Sequence, residues 1–245
     1  MFHLRTYASN ILEHAEKIIF ISPIYFNRLF SESYFKKKKK VLQSKSLIVP
    51  NGIDFFWSSN KVFTRNFHIT EVFKLLYIGK FTKGKNVLRL VKAVEILNQK
   101  GIKIHLNLVG GDGSEFTKVM SYINGKSQFS YHGKIYKKEE LKKIFLENDI
   151  FTMPSHTETF GLVYIEALSQ GIPIVYTLNE GIYGFYDRTI GEAVDSYSVV
   201  SIVSGIEKIC NNYSRYNFNP QEIVDNHNWA EIAKKYLSIY RESIK

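Results

Sequence analysis

Two glutamates stand eight positions apart in "PSHTETFGLVYIEALSQG", residues 154–171. Glu158 sits among turn-type residues beside Gly161, and Glu166 sits in an apolar run with helix-like spacing. Ionised carboxylates accept hydrogen bonds, so such a pair suits the hydroxyl groups of one ligand. The strand-like "DIFTMP" leads into this loop, and a helix is expected to start near Phe160 or Gly161. The first amides of a helix have no internal partner and carry the positive end of its dipole, which makes them a ready anion site. Gly161 has no Cβ to keep a phosphate at a distance. Glu166 would lie roughly 7.5 Å further along the helix axis, at 1.5 Å per residue. A ligand with hydroxyls at both ends and phosphate in the middle, such as a nucleotide sugar, could touch all three features. Residue type alone allows a plainer account: Glu158 favours the helix dipole and Glu166 is a surface charge. The apolar neighbours of Glu166, "LVYI" and "AL", argue against casual exposure.

Two other loops hold residues of the same kind. In "GKFTKGKN" a strand ends at Gly79, and Lys80, Lys83 and Lys85 follow before a helix. Lysine ammonium groups suit phosphate oxygens, and a solvated loop is the alternative. No Walker sequence is present, so the loop is not that of a P-loop nucleotidase. "LVGGDG" is a tight glycine turn without the full dinucleotide-binding spacing.

The elements that would position these loops alternate. "FKLLYIGK", "FSYHGKI", "DIFTMPS" and "IPIVYT" read as strands, "IHLNLVGGDG" as a strand followed by a glycine turn, and helices of about 10 to 15 residues alternate with them. "NVLRLVKAVEILNQKG" carries Val87, Leu90, Val91, Val94 and Leu97 on one stripe and stops at Gly101. This pattern predicts an α/β fold with a Rossmann-like parallel sheet and helices on both faces, built from right-handed crossovers. Ligands bind such sheets at the carboxyl ends of strands. Those ends here carry "GKFTKGK", "GGDG", "HGK" and "PSHTETFG", so one cleft is expected. Upstream, "NILEHAEK" reads as a helix, and "IIFIS" and "SLIVPNGID" contain strands; residues 55–70 read as an irregular linker.

The 245 residues suffice for one large α/β domain or one and a half smaller ones. With 44% hydrophobic residues the chain can bury a real core, so global disorder is not expected. Cys210 is the single cysteine and cannot form an internal disulfide, which fits a reducing cytosol. The first residues lack the pattern of a secretory signal. "IIFISPIYF" is about half a membrane span and contains Pro23, so no membrane-spanning helix is expected. The net charge of +10 owes part of its excess to the run Lys36–Lys40. Such a run is a solvated face or a contact with anionic lipid headgroups. Basic and aromatic residues do not interleave as in a nucleic-acid module, so nucleic acid is not expected as a partner.

As an ordered set the motifs resemble the GT-B glycosyltransferases of family four. "PSHTETFGLVYIEALSQGIPIV" is similar to that family's signature: Pro-Ser, a glutamate, Phe-Gly, a second glutamate eight residues after the first, then Gly-x-Pro and a strand. "VPNGID" resembles its interdomain segment, "LVGGDG" its Val-Gly-x-Gly turn, and "NEGI" (residues 179–182) its loop over the donor sugar. "GKFTKGKN" resembles its Gly-Arg…Lys-Gly segment, with Lys80 in place of the arginine, Asn86 in place of the glycine, and Lys85 at the lysine position. Lys83 is the alternative for that lysine, because a glycine follows it.

The resemblance implies a retaining transferase that takes a sugar from a nucleotide-sugar donor, such as a UDP- or GDP-sugar, to a glycan or lipid-linked acceptor. The setting implied is cell-surface or capsular polysaccharide synthesis, in the cytoplasm, with a peripheral place at the inner face of the membrane compatible with it. Glu166 would bond the ribose and Glu158 would lie at the transferred sugar. The amides of Phe160, Gly161 and Leu162 would meet sugar and β-phosphate. Lys80 and Lys85, with Lys83 and Gly79 nearby, would hold the pyrophosphate. Gly133 and Lys134 would meet the base, and Gly181 would lie over the sugar. No metal or other cofactor is implied, because lysines and a helix end take the metal's electrostatic part.

In that family two Rossmann-like domains share the work. Residues 1–54 are expected to be the tail of the first, acceptor domain, 55–70 the linker, 71–215 the donor domain, and 216–245 a terminal helix that returns toward the first domain. The family leads one to expect well over 100 residues before Met1. None of the seven histidines has the context of the first domain's histidine, and His132 is expected to be structural. Trp229, Tyr236 and Tyr240 are expected to form an exposed apolar patch. The alternative function is therefore a nucleotide-sugar-binding fragment or subunit that needs a separate N-terminal domain.

Overall fold

The sheet strands are dense in Val, Ile, Leu, Phe and Tyr because both of their faces are covered. The protein's structure, a computed structural model, describes residues 2–62, 71–186 and 188–243. The N-terminal segment runs α1 (Phe2–His14), β1 (Ile18–Phe20), α2 (Pro23–Ser31), a 3₁₀ turn (Ser33–Lys38), α3 (Lys39–Ser44), β2 (Ser46–Ile48) and α4 (Phe55–Ser59). It continues with β3 (Phe73–Lys80), α5 (Val87–Gln99), β4 (Ile104–Gly111), α6 (Phe116–Ile123), β5 (Phe129–Tyr131), α7 (Lys138–Leu146), β6 (Ile150–Thr152), α8 (Leu162–Ser169) and β7 (Ile174–Thr177). Last come β8 (Gly191–Val194), α9 (Val199–Asn211), α10 (Pro220–Asn226) and α11 (Trp229–Ser243).

Two parallel sheets result. The small one pairs β1 with β2, over a separate core of Ile18, Phe30, Phe35 and Leu42. The large one has six strands in the order β5-β4-β3-β6-β7-β8. Its central strand is buried on both faces: Leu75, Leu76 and Tyr77 are all inaccessible to solvent. Right-handed crossovers to the left of β3 and to the right of β6 must use opposite faces of the sheet. The crossover direction therefore reverses between β3 and β6, and their carboxyl ends part to leave a crevice.

The expected parallel sheet with flanking helices is thus present. The expected strand Phe73–Lys80 has those bounds, and Gly101 closes α5 with φ +86°. Helices α2, α3, α4 and α10 and the edge strand β8 are additions that periodicity did not show. They are short, and β8, "GEAV", has no apolar run of its own. Residues 55–59 were expected to be irregular. They form α4 because the Asp54 carboxylate accepts from the Phe56 amide at 2.9 Å and Trp57 packs edge-on against Phe145 at 5.4 Å. Residues 63–70 of the expected linker lie outside the described residues. In the lysine run, Lys37–Lys40 are exposed, and Lys38 pairs with Glu13.

None of the described helices is long and apolar enough to cross a membrane. Helix α11 shows the expected apolar patch: Trp229, Leu237 and Tyr240 are more than half exposed, with Tyr236 partly covered between them. The ring of Trp229 covers Gly52, where a Cβ would come within 2.6 Å of it.

Trp57, 2% exposed, ties the 55–59 helix to the main core. Trp57→Ala is expected to cost about 3–5 kcal/mol, by lost burial and the cavity left behind. Urea unfolding of the two proteins measures that difference.

Candidate functional site

The crevice between β3 and β6 holds a cavity of about 340 Å³. Gly79 and Lys85 reach it from the loop after β3, and Glu158, Phe160, Gly161 and Leu162 from the loop after β6. Ile21 and Asn51 complete the wall from the N-terminal segment. The structure therefore brings together six of the residues singled out from sequence.

Gly161 has φ +81°, the left-handed conformation that glycine adopts at least cost. A Cβ there would overlap the ring of Tyr164. That turn starts α8 abruptly. Among the described residues the amides of Phe160, Gly161 and Leu162 have no acceptor. They sit at the positive end of α8 and border the cavity. The Phe160 side chain faces the other way, buried edge-on against Phe185 and His227.

Lys85 Nζ lies 2.5 Å from Glu158 Oε2. Glu158 is further held by its backbone: its carbonyl accepts from the Gly181 amide at 2.8 Å, and its amide donates to Glu180 Oε2 at 3.0 Å. Gly181 has φ +55°, and a Cβ there would come within 2.9 Å of the Phe160 carbonyl oxygen. Between the two candidate lysines the fold selects Lys85 for the cavity, because the Lys83–Lys85 3₁₀ turn aims Lys83 outward, where it is exposed. Lys80 is also exposed and does not line the cavity; its carbonyl accepts from the Tyr77 hydroxyl at 2.9 Å.

Glu166 lies further along α8, outside the cavity wall but largely buried. Burial, with the Asp54 carboxylate nearby, pushes its carboxyl up to about 7, against the pull of Lys138 and a hydrogen bond from the Trp57 side chain. Gly133 and Lys134 follow β5, one strand beyond β4. The Gly133 carbonyl accepts from the Gly110 amide at 2.7 Å, and Lys134 pairs with Asp112. They occupy the same end of the sheet but not the cavity. His132 is exposed, with Nε2 2.7 Å from Asn107 Oδ1.

Sequence reasoning did not find the network behind the loop. Asn86, 2% exposed and at φ +61°, donates to the Pro154 carbonyl at 2.9 Å and the Ser196 carbonyl at 2.8 Å. Asparagine tolerates the left-handed turn that a glycine would otherwise supply, and adds two bonds to it. Arg89 donates to Asn86 Oδ1 at 3.1 Å and faces His156 Nε2 at 2.9 Å. Arginine can only donate, so Nε2 accepts and Nδ1 carries the proton toward Ser196 Oγ, 3.0 Å away. Burial and the Arg89 charge hold His156 below the usual imidazole range, which keeps it neutral. Asn86 stood out in sequence as a departure from glycine; nothing marked its partners, which are 68 and 110 residues away.

The fold and cavity define a Rossmann-like α/β domain with its open site at the point where strand order reverses. The family model for glycosyl transferases group 1 matches residues 58–236, and the chain belongs to that family. A chain described as an uncharacterized glycosyltransferase of Methanocaldococcus jannaschii is 23% identical over 213 residues, 81% of this chain and 54% of that one. The capsular polysaccharide biosynthesis glycosyltransferase CapM of Staphylococcus aureus is 25% identical, over 79% of this chain and 54% of its own. The chain thus spans about half the length of these relatives. Among solved structures, a glycosyltransferase from Rickettsia africae shares the fold with a TM-score of 0.72 at 18% identity, covering 99% of this chain and 67% of that one. Sucrose-phosphate synthase from Thermosynechococcus elongatus does so with a TM-score of 0.72 at 22% identity, over 97% and 61%. The large sheet is the second half of a GT-B fold.

A carboxyl raised to about 7 binds its proton more tightly in the folded chain than in the unfolded one, whose value lies near 4.5. Its effect on stability is therefore a loss as pH rises from 4.5 to 7. Glu166→Gln removes that loss. The variant is expected to unfold at a higher temperature than wild type at pH 8 and at nearly the same temperature at pH 4.5, in ligand-free thermal melts. Equal displacement at both pH values would show that Glu166 is not held against its charge.

Proposed function

We propose that the cavity holds the diphosphate and sugar of a nucleotide-sugar donor, and that the chain serves transfer of that sugar with retained anomeric configuration. The observation that carries this reading is the pairing of three unpartnered amides at the head of α8 with the Lys85 ammonium across a cavity at the switch point. Backbone amides and a lysine match diphosphate oxygens. Their electrostatic value grows as the diphosphate departs and negative charge collects on it. No metal is required for that role in this reading. Without ligand, Lys85 is neutralised by Glu158. An incoming diphosphate would take over the ammonium and leave the Glu158 carboxylate to face sugar hydroxyls.

Glu166 would accept from the ribose hydroxyls, which its ionised form does best. Gly133 and Lys134 would meet the base, and Gly181 would cover the sugar. Lys80 and Lys83, both exposed, would act as a basic approach to the site rather than as ligands. Retention requires the acceptor to approach the face that the diphosphate leaves. The name of the S. aureus relative supports capsular polysaccharide synthesis as the setting, and in this reading the acceptor is a glycan or a lipid-linked glycan. Cytoplasmic work against an anionic membrane face is compatible with the exposed Lys37–Lys40.

A second reading is donor binding without transfer by this chain alone, completed by a separate N-terminal domain. The observation that favours it is the exposed stripe Trp229, Leu237 and Tyr240 on α11.

Titration calorimetry with UDP, GDP and their sugars tests the donor site. Wild type is expected to bind one nucleotide class, and Glu166→Ala and Lys85→Ala to weaken it by about tenfold or more, the size of a lost charge-assisted hydrogen bond. A folded wild-type chain that binds no nucleotide would overturn the reading. Unchanged binding by Glu166→Ala would remove the ribose assignment only.

A further inference from the structure

Helix α2, far from the donor loops in sequence, is bonded to both of them. Ser22 Oγ donates to the Gly181 carbonyl at 2.6 Å. Arg28 Nη2 donates to the Asn179 carbonyl at 2.7 Å and lies 2.6 Å from Glu180 Oε1. The other oxygen of Glu180 takes the Glu158 amide, so one carboxylate joins the Arg28 guanidinium to the backbone of Glu158. Tyr25 lies under that guanidinium, 5.0 Å from ring centroid to Cζ, and points its hydroxyl at the Glu158 carbonyl, 3.4 Å away. The Glu180 side chain is 12% exposed and that of Arg28 43%. Without Arg28, a largely buried carboxylate would be left without its cation, which is costly.

The loops in question are unusual in their backbone. Asn179 has φ +59° and Gly181 φ +55°. Two left-handed residues in three make a turn that needs outside support to hold one shape. Both carbonyls taken by Ser22 and Arg28 belong to those two residues.

We infer that Arg28 is a positioning residue for the sugar end of the site: acting through Glu180, it sets the distance between the Glu158 loop and the Asn179–Gly181 turn. This rests on the donor-site reading above. It touches neither the helix end of α8 nor Lys85, and reaches the diphosphate grip only indirectly, through Glu180 and Glu158. Its loss loosens the sugar subsite and spares the diphosphate subsite. The separation of those two effects is what a general loss of stability would not produce.

The test compares wild type, Arg28→Ala, Glu180→Ala and the double variant. Calorimetry with a nucleoside diphosphate and with the matching nucleotide sugar gives the first readout. Arg28→Ala is expected to bind the nucleotide sugar about tenfold more weakly while the diphosphate changes less than about twofold, and the double variant to be no worse than the weaker single, as for two residues that act as one unit. Amide hydrogen exchange without ligand gives the second readout. The Gly181 amide, bonded to the Glu158 carbonyl, is expected to exchange at least about tenfold faster in Arg28→Ala, through local opening of that turn. Equal weakening of both ligands, or unchanged exchange at Gly181, overturns the inference. Wild-type silence toward every nucleotide overturns the donor site itself, and the inference with it.

Discussion

The reversal of crossover direction between β3 and β6 is the constraint on which the site depends. To one side of it the chain winds toward β5, and to the other toward β8. Neither set of helices can cover the point of reversal, so two loops meet over an open gap there. One loop must turn back across a lysine, and the other must start a helix abruptly. The left-handed Asn86 and Gly161 perform those two turns. The chemistry of the cavity follows from where the two turns point: an ammonium from one side and bare amides from the other.

Holding the loop after β6 takes contacts from three directions. Asn86 and Thr177 take the carbonyls of Pro154 and Ser155 from behind. The Gly84 carbonyl accepts from the His156 amide at 2.7 Å, which joins the lysine turn to the glutamate loop. Glu180 and Gly181 hold Glu158 in front, and α2 holds them in turn. Such a loop is preorganised: its dipoles are set before a ligand arrives, so little reorganisation is left for binding. Among the described residues Glu158 is the carboxylate that lines the cavity, and the Lys85 ammonium balances its charge until something with more negative charge competes.

Glu166 shows a different compromise. A buried carboxyl among Asp54, Lys138 and the Trp57 indole is worse off charged than a surface glutamate would be. Its position is poor for stability, and that is intelligible if its charge has a ligand to meet. Asp54 at the head of α4, Trp57 within it and Lys138 of α7 stand around it, so the site is shaped by more than the parallel sheet.

Much of this was legible in the sequence. Strand and helix alternation determined the fold class, because hydrophobic periodicity directly reflects which faces are covered. The glutamates, the glycine at the helix start and a lysine in another loop suggested the kind of ligand proposed above, because residue type limits what a site can hold. Spacing alone could not choose between Lys85 and Lys83, since the choice depends on which way a 3₁₀ turn aims its side chains. It could not show that Lys80 faces outward, or that residues 55–59 coil into a helix around a buried tryptophan. Nor could it find Arg28 beside Glu180, Asn86 beside Ser196, or Asn51 and Ile21 in the cavity wall. The first two of those meetings join residues 152 and 110 positions apart. Only the folded sheet, which sends distant turns to one end, decides that they touch.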